Sequence, residues 1–239
     1  MDKRAYIRDE FSKIQIELSE KQAEQFEQYY EMLIAKNEVM NLTAITEFEE
    51  VVQKHFIDSV MIKEVRELGD NEKWIDVGTG AGFPGIPLKI VYPQLQVTLL
   101  DSLNKRVKFL QEVVDALGLE QVEALHGRAE EYAKKAEYRE QYDCCVSRAV
   151  ANLASLSEYC LPFVKVGGAF VPYKSGKIQE EIETAGKAVE ILGGWIGQRK
   201  EFMLPGSDMY RCLLYIEKVK ATAKKYPRKA GMPTKEPLH

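Results

Sequence analysis

Apolar residues recur at helical spacing in the first third of the chain. They follow Ser19 and Gln22, whose spacing is that of a helix capping box. The apolar positions that share one helical face are Phe26, Tyr29, Tyr30, Leu33 and Ile34. A second helical pattern covers residues 47–68, and no strand pattern precedes Trp74. These observations predict a helical extension over residues 1–70.

From Trp74 onward, short apolar runs alternate with amphipathic stretches. The apolar runs predict strands over residues 74–77, 96–101, 122–126, 142–147, 168–173, 196–204 and 210–219. The amphipathic stretches predict helices over residues 83–91, 104–117, 128–135, 152–161 and 176–192. The last two strands have no helix between them.

The order of these elements predicts the topology of the sheet. Strands that alternate with helices are joined by right-handed crossovers, which make the strands parallel. Only residues 205–208 separate the last two strands, and so short a connection allows an antiparallel hairpin but no crossover. We therefore predict an α/β fold with a mostly parallel seven-stranded sheet that has one antiparallel strand. This domain covers residues 71–219, and residues 220–239 form a tail.

The composition is typical of a soluble globular protein, with 45% hydrophobic and 29% charged residues among 239. No run approaches the roughly 20 apolar residues of a membrane helix. The first ten residues are charged and lack the apolar core of a signal peptide. We therefore expect a cytoplasmic protein that has no contact with a membrane.

The four cysteines are Cys144, Cys145, Cys160 and Cys212. None belongs to a C-x-x-C pair, and no histidine has zinc-ligand spacing from them. We expect no bound metal, and we expect Cys144 and Cys145 to be buried strand residues rather than nucleophiles.

Charge is distributed unevenly along the chain. The net charge is −4, yet seven Lys and Arg and no acidic residue lie between Lys218 and Lys235. That segment carries a charge of +7, which leaves −11 for the rest. Such a split is typical of a basic strip that meets an anionic partner. A solvated, poorly ordered tail explains the charge equally well.

The strongest chemical signal is the glycine-rich loop over residues 76–85, which follows the first strand. Its glycines allow a tight turn close to a ligand, and a helix that starts near Phe83 would point N–H groups at an anionic group. Gly80-x-Gly82-x-x-Gly85 also matches a dinucleotide fingerprint, so the loop alone leaves the cofactor open. Asp76 favours the cationic S-adenosylmethionine, because a carboxylate there would repel a pyrophosphate.

Three further strand ends carry polar residues, and all should lie at the same edge of the sheet. Asp101 would accept hydrogen bonds from a ribose or cap the next helix. Ala129 would present its backbone to an adenine ring. Glu130 would line the same site, or it would be an acidic residue of the first helical turn that the helix dipole stabilises. Arg148 would bind a ligand in the cleft or pair with a neighbouring carboxylate.

At these residues the chain resembles the Rossmann-like class I methyltransferases. The motifs Asn41-Leu42-Thr43, His55-x-x-Asp58-Ser59, the loop over residues 78–85, Ser147-Arg148-Ala149 and Tyr226-Pro227-Arg228-Lys229 resemble, more narrowly, the bacterial RsmG family, also called GidB. That family methylates N7 of one guanine in the decoding region of 16S rRNA. The resemblance runs from about Asn41 to Leu238 and is far more specific than the glycine loop.

The resemblance implies a set of site residues. The residues that it implies as cofactor contacts are Gly78, Phe83, Ala129, Glu130 and Arg148, and the general methyltransferase pattern adds Gly80, Gly82 and Asp101. Guanine N7 has a free lone pair, so no catalytic base is required and positioning should supply most of the catalysis.

We expect Arg148 to orient the target base or the cofactor at the transfer site. Asn41, His55 and Asp58 would line the RNA side, or each would instead cap or brace the helical extension, a structural role that we favour for Asp58. Candidate phosphate contacts are Arg228, Lys229 and Lys235. The expected partner is 16S rRNA or the small ribosomal subunit, and the protein is expected to be a monomer.

Two other classes of protein share some of these features. An NAD-dependent oxidoreductase would have the same glycines and strand-end acid. A non-catalytic ribosome-binding factor would explain the basic tail but not the cofactor residues.

Overall fold

The computed structural model describes residues 2–148, 151–176 and 178–239, so Ala149 of the Ser147-Arg148-Ala149 motif lies outside the described residues. The strands are β1 (Lys73–Val77), β2 (Gln96–Asp101), β3 (Val122–His126), β4 (Tyr142–Arg148), β5 (Val164–Ser175), β6 (Gly194–Met203) and β7 (Tyr210–Lys218). They form one sheet in the order β3-β2-β1-β4-β5-β7-β6. Strands β1 to β5 are parallel, and β7 runs antiparallel to both of its neighbours. The predicted mostly parallel sheet with one reversed strand is confirmed.

The helices are α1 (Lys3–Lys13), α2 (Glu20–Met40), α3 (Phe48–Val51), α4 (Asp58–Val60), α5 (Gly85–Val91), α6 (Asn104–Ala116), α7 (Ala129–Tyr132), α8 (Leu153–Cys160), α9 (Gln179–Ile191) and α10 (Met232–Lys235). Helices α5 to α9 connect successive strands from β1 to β6 at the predicted places. Two 3-10 turns, Met61–Glu64 and Leu161–Phe163, and a π-helical turn, Val52–Ile57, complete the helical elements.

Several predicted boundaries are wrong. The helix predicted from Phe83 begins at Gly85, because the loop before it has positive φ at Gly82 and Pro84 takes the N-cap position. The stretch over residues 47–68 is broken at Val52–Ile57 by the π-helical turn. Such turns often occur at functional sites, and this one contains His55. Strand β5 begins at Val164 rather than 168, because Val164 pairs with Tyr142 before a register shift.

Alternating side chains of the strands enter two apolar layers, one on each face of the sheet. In β4, Cys144 belongs to one layer and Cys145 to the other. Both thiols are completely buried, and burial raises the pKa of each above its ordinary value. The prediction that they are buried strand residues is confirmed.

The N-terminal helices share the first of these layers with the sheet. Phe26 and Phe56 belong to the same continuous cluster as Leu99 and Val171 of the strands. Tyr29 joins the extension to the glycine loop, because its hydroxyl donates to the Ala81 carbonyl (2.7 Å) and its ring packs on Phe83. The helical extension over residues 1–70 and the sheet domain after it share this core. Their separation at residue 70 stays a prediction.

The C-terminal segment is packed onto the sheet domain, so its interpretation as a solvated tail is wrong. Lys218 is fully buried at the end of β7 and donates to the carbonyls of Leu161 (2.7 Å) and Val164 (2.9 Å). Thr222 and Tyr226 are also buried. Two of the seven cations counted in the sequence, Lys218 and Arg228, therefore lie against protein acceptors, whereas the other five are exposed.

Among the described helices, none combines the length and the apolar character that a membrane crossing requires.

We expect Tyr29→Phe to lower the free energy of unfolding by about 1–3 kcal/mol, because it leaves the buried Ala81 carbonyl without its donor while preserving the ring contacts. Chemical denaturation measures the change. Tyr30→Phe is the matched control, since the Tyr30 hydroxyl also donates to a carbonyl, that of Thr46, but at an exposed position. Equal losses in the two variants would contradict the expectation.

Candidate functional site

The glycine loop lies at the carboxyl edge of the sheet, between β1 and α5. Asp76 anchors it from below, because its Oδ2 accepts from the Thr79 hydroxyl (2.7 Å) and from the Gly85 N–H (2.8 Å). The carboxyl is 1% exposed, its Oδ1 has no hydrogen-bond partner among the described residues, and burial raises its pKa to about 7. The sequence argument that Asp76 faces a ligand cation is therefore wrong, because this side chain supports the loop from inside the protein.

Two glycines of the loop show opposite requirements. At Gly82, which has a φ of 110°, an added Cβ would lie 2.7 Å from the Tyr29 hydroxyl and 2.5 Å from Ile86 Cδ1. At Gly80, which has a φ of 64°, the same atom would meet nothing within 4 Å. Gly82 is thus needed for packing, whereas Gly80 presents bare backbone to open space, as a ligand-binding loop requires.

A cavity of about 700 Å³ opens above the loop. Gly78, Gly80 and Phe83 line it on the loop side, and Arg148 enters it from the end of β4. Its other lining residues include Thr43, His55, Asp58, Arg106, Tyr173, Lys174, Glu181 and Arg211. The structure therefore brings four of the predicted cofactor residues together with His55.

A bridging carboxylate organises one wall of this cavity. Asp58 Oδ2 accepts from Arg148 Nη1 (2.9 Å), and its Oδ1 accepts from Arg211 Nε (2.8 Å). Asp58 is 1% exposed, so both oxygens exchange water for guanidinium donors. The Arg148 guanidinium also lies 5.0 Å from the centroid of the Phe83 ring, which is within the range of a cation–π contact.

His55 is held as a neutral imidazole in the same wall. Its ring stacks on Phe83, with 4.5 Å between the centroids. Arginine has only donors, so the contact of 3.2 Å between Arg148 Nη2 and His55 Nδ1 assigns the lone pair to Nδ1. Burial, followed by the charge of Arg148, lowers the pKa of His55 to about 3.

The tautomer of His55 sets the polarity of Thr43. His55 Nε2–H donates to Thr43 Oγ1 (2.8 Å), which also accepts from the Ile45 N–H (3.0 Å). Both acceptor positions of the hydroxyl are therefore filled, and its hydrogen is left to donate. Since Thr43 lines the cavity, this donor is available to a ligand with an acceptor atom.

A smaller cavity of about 150 Å³ lies on the other side of Gly78. Leu100 and Ser102 line one side of it, and Ala129 and Glu130 line another. Glu130 is 5% exposed, and its Oε1 accepts from the Gly231 N–H (2.9 Å) of the C-terminal segment. The structure thus brings both residues of the predicted adenine side to the edge of the glycine loop.

Asp101 connects the loop to the next helix. Its Oδ2 accepts from the Gly80 N–H (3.0 Å), and its Oδ1 accepts from the Leu103 N–H (2.8 Å) at the start of α6. Helix α6 has Leu103 at its N-cap position and no side-chain cap, so the predicted capping role is wrong, and the predicted contact with a ribose stays a prediction.

Other predicted residues lie away from the cavities. Asn41 is exposed at the C-cap of α2, where its φ of 49° is the left-handed conformation that asparagine tolerates. Arg228 is committed to the buried Glu158 carboxylate (2.6 Å), so its assignment as a phosphate contact is not retained. Lys229 and Lys235 are exposed. Their contact with RNA stays a prediction.

Arg211 and Thr43 are the site residues that sequence reasoning missed. Thr43 belongs to the Asn41-Leu42-Thr43 motif, so a signal for it was present. Arg211 has no sequence signal, because its contact with Asp58 spans 153 positions and depends on how β7 pairs with β5.

The acids and the histidine that line the larger cavity are all engaged. Asp58 is shared by two arginines, the His55 lone pair faces Arg148, and Glu181 accepts from Lys174 Nζ (2.6 Å). Within the described ranges, no group of three or more His, Cys, Asp or Glu is arranged to hold a metal ion. The wall can therefore orient a ligand and donate to it, but it offers no ready base.

Comparison with known proteins agrees with this geometry. A family model described as GidB, rRNA small subunit methyltransferase G, matches residues 22–202. Over 223 residues the chain is 56% identical to the ribosomal RNA small subunit methyltransferase G of Lachnoclostridium phytofermentans, with coverage of 93% of this chain and 92% of the relative. It is 51% identical over 238 residues to the protein of the same name from Alkaliphilus metalliredigens, and both chains are covered completely.

Solved structures share the fold. A SAM-dependent methyltransferase from Aquifex aeolicus superposes with a TM-score of 0.52 at 21% identity, over 70% of this chain and 92% of that one. M. jannaschii TYW2 in complex with AdoMet gives a TM-score of 0.55 at 15% identity, over 74% and 80% of the two chains. These similarities concern the fold alone, and they confirm that it is Rossmann-like.

We expect His55→Gln to remove one source of acid sensitivity. The pKa of His55 is about 3 in the folded protein and about 6.5 in an unfolded chain, so between these values the unfolded chain binds the extra proton. The free energy of unfolding therefore falls as the pH falls through this range, by at most about 1.4 kcal/mol per pH unit. Glutamine can accept from Arg148 and donate to Thr43 without titrating.

Denaturant unfolding of both proteins from about pH 4.5 to 8 measures this effect. The difference between their free energies of unfolding should stay constant above pH 6.5 and shift in favour of the variant below it. A difference that stays the same at every pH would show that His55 titrates normally.

Proposed function

Since the chain belongs to the GidB family of rRNA small subunit methyltransferases G, we propose that its target is N7 of one guanine in the decoding region of 16S rRNA. It is an S-adenosylmethionine-dependent methyltransferase that acts on small-subunit rRNA. Family membership replaces both alternatives raised by the sequence, the NAD-dependent oxidoreductase and the non-catalytic ribosome-binding factor.

The two cavities beside the glycine loop fit S-adenosylmethionine. Gly78 lines both, and Gly80 presents its backbone to open space. Leu100, Ala129 and Glu130 would hold the adenosyl part in the smaller cavity. When bound, the cofactor supplies a methyl group on a sulfonium.

N7 is favoured as the target atom because the acids and the histidine around the larger cavity are already paired with cationic side chains. Attack by an exocyclic amine or by a ring carbon calls for removal of a proton, whereas guanine N7 attacks with its own lone pair. Asp58 and Glu181 are tied to cations, and the His55 lone pair faces an arginine. Such a wall suits a reaction in which positioning, rather than proton transfer, provides the rate.

The donors in the same wall suit guanine. Its N7 is adjacent to O6, and both atoms are acceptors, whereas adenine presents a donor at the exocyclic position. The free hydrogen of Thr43 and the Nε of Arg148, which makes no hydrogen bond to the described residues, can donate to O6. Arg148 acts here as the residue that orients the base, and Asp58 holds it in place.

We further propose that the protein works as a cytoplasmic monomer.

Exposed Lys229 and Lys235 lie on the C-terminal segment, which also contacts Glu130 beside the smaller cavity. Their exposure and position support the proposal that they contact phosphates of an RNA that reaches the site.

The function is tested by methyl transfer from labelled S-adenosylmethionine to small ribosomal subunits that lack the modification. We expect 7-methylguanosine as the product in a nucleoside digest, at one position of 16S rRNA. Arg148→Met should abolish most of the transfer while the variant stays folded. Another methylated nucleoside would overturn the N7 assignment. Equal transfer of label by Arg148→Met and by the unmodified protein would overturn the role of Arg148.

We expect the combined substitution of Lys229 and Lys235 by Gln to flatten the salt dependence of RNA binding. Each lost phosphate contact lowers the slope of log K against log salt by about 0.7–0.9. Fluorescence anisotropy with an rRNA fragment at several salt concentrations measures the slope. Substitution of Lys21 and Lys73 by Gln is the charge-matched control, since both are exposed and Lys73 begins β1 at the opposite edge of the sheet. Equal slopes in the two double variants would contradict the assignment.

A further inference from the structure

The last part of the chain forms a strap, residues 226–236, that lies across α7 and α8. The Ser155 hydroxyl donates to the Pro233 carbonyl (2.7 Å), and the Tyr159 hydroxyl is 2.7 Å from Thr234 Oγ1. The Gly231 N–H donates to Glu130 (2.9 Å). Polar contacts therefore join the strap to both helices along its length.

Arg228 anchors the strap. Its Nε lies 2.9 Å from Glu158 Oε1, its Nη2 lies 2.6 Å from Oε2, and its backbone N–H also donates to Oε1 (2.8 Å). Glu158 is completely buried, so this carboxylate depends on Arg228 for its compensating charge. The bidentate geometry fixes both the position and the angle of the strap.

Two residues that the strap contacts also line the smaller cavity. Glu130 receives the Gly231 N–H, and Tyr159 bonds to Thr234. The two residues belong to the short helices α7 and α8, and the strap contacts the terminal oxygen of each side chain. A shift of the strap would therefore move the wall of the cavity rather than only the surface of the protein.

We propose that the strap is a positioning element of the cofactor site, and that Arg228 is a positioning residue for Glu130 and Tyr159. The inference rests on the proposed function, in which the smaller cavity receives the adenosyl group. It assigns the Tyr226-Pro227-Arg228-Lys229 motif to the cofactor side of the reaction. Loss of the anchor weakens cofactor binding and leaves the transfer step itself intact.

The first variant combines Arg228→Met with Glu158→Gln, so that no buried charge is left unpaired. We expect the Kd for S-adenosylhomocysteine, measured by calorimetry, to rise about 10-fold relative to the unmodified protein. In methyl transfer, the KM for S-adenosylmethionine should rise by a similar factor while kcat at saturating cofactor stays within twofold. A structural role alone would lower the melting temperature without this split.

Thr234→Val provides a second variant that keeps the buried ion pair. It removes one hydrogen bond to Tyr159, and we expect the Kd to rise about twofold to fivefold. Arg66→Met is the matched control, because Arg66 pairs with the partly buried Glu72 (2.7 Å) and donates to the Asp143 carbonyl near the opposite edge of the sheet. It should lower the melting temperature and leave the Kd within twofold.

The outcomes separate the strap from the proposed function. If the unmodified protein methylates guanine N7 and both strap variants bind S-adenosylhomocysteine as it does, the positioning role is overturned and the function stands. If the strap variants weaken cofactor binding but another nucleoside is methylated, the strap is supported and the N7 assignment fails. Equal weakening in Arg66→Met would overturn the strap's specific role.

Discussion

The wall of the larger cavity depends on the bridge that Asp58 forms between Arg148 and Arg211. A carboxylate that is 1% exposed is costly unless charged donors replace its water, and here each oxygen has one. The bridge joins the helical extension to the end of β4 and the start of β7. Because Arg148 in turn fixes the tautomer of His55, a single buried charge determines which atoms of the cavity donate and which accept.

The sheet and the glycine loop could be predicted because their signals are local. Short apolar runs, turn glycines and the short predicted connection before β7 indicate seven strands and one reversal. Side-chain roles were harder, because they depend on where distant segments meet. Asp76 illustrates this, since its position in the sequence suits a ligand contact, whereas the turn of the loop places its carboxylate under Thr79 and Gly85. Arg211 required the pairing of β7 with β5, which no local pattern specifies.

The C-terminal segment shows what a charge count leaves out. Seven cations without an acid suggest a solvated strip, but a sequence count does not show which cations meet carbonyls and carboxylates of other segments. Lys218 satisfies two carbonyls at the end of a strand, and Arg228 compensates a carboxylate 70 positions away. The motif Tyr226-Pro227-Arg228-Lys229 lies in this segment, and its Arg228 attaches the strap to α8, whose Tyr159 lines the smaller cavity.

The buried Glu158 also has a consequence for how the protein is made. Chains are synthesised from the N-terminus, so Glu158 of α8 is incorporated 70 residues before Arg228. Until then, α8 can pack fully only by burying a charge without a partner, which is strongly unfavourable. This helix therefore packs fully only after residue 228 has been added. A truncated chain that lacks residue 228 has a destabilised α8, which proteases can recognise.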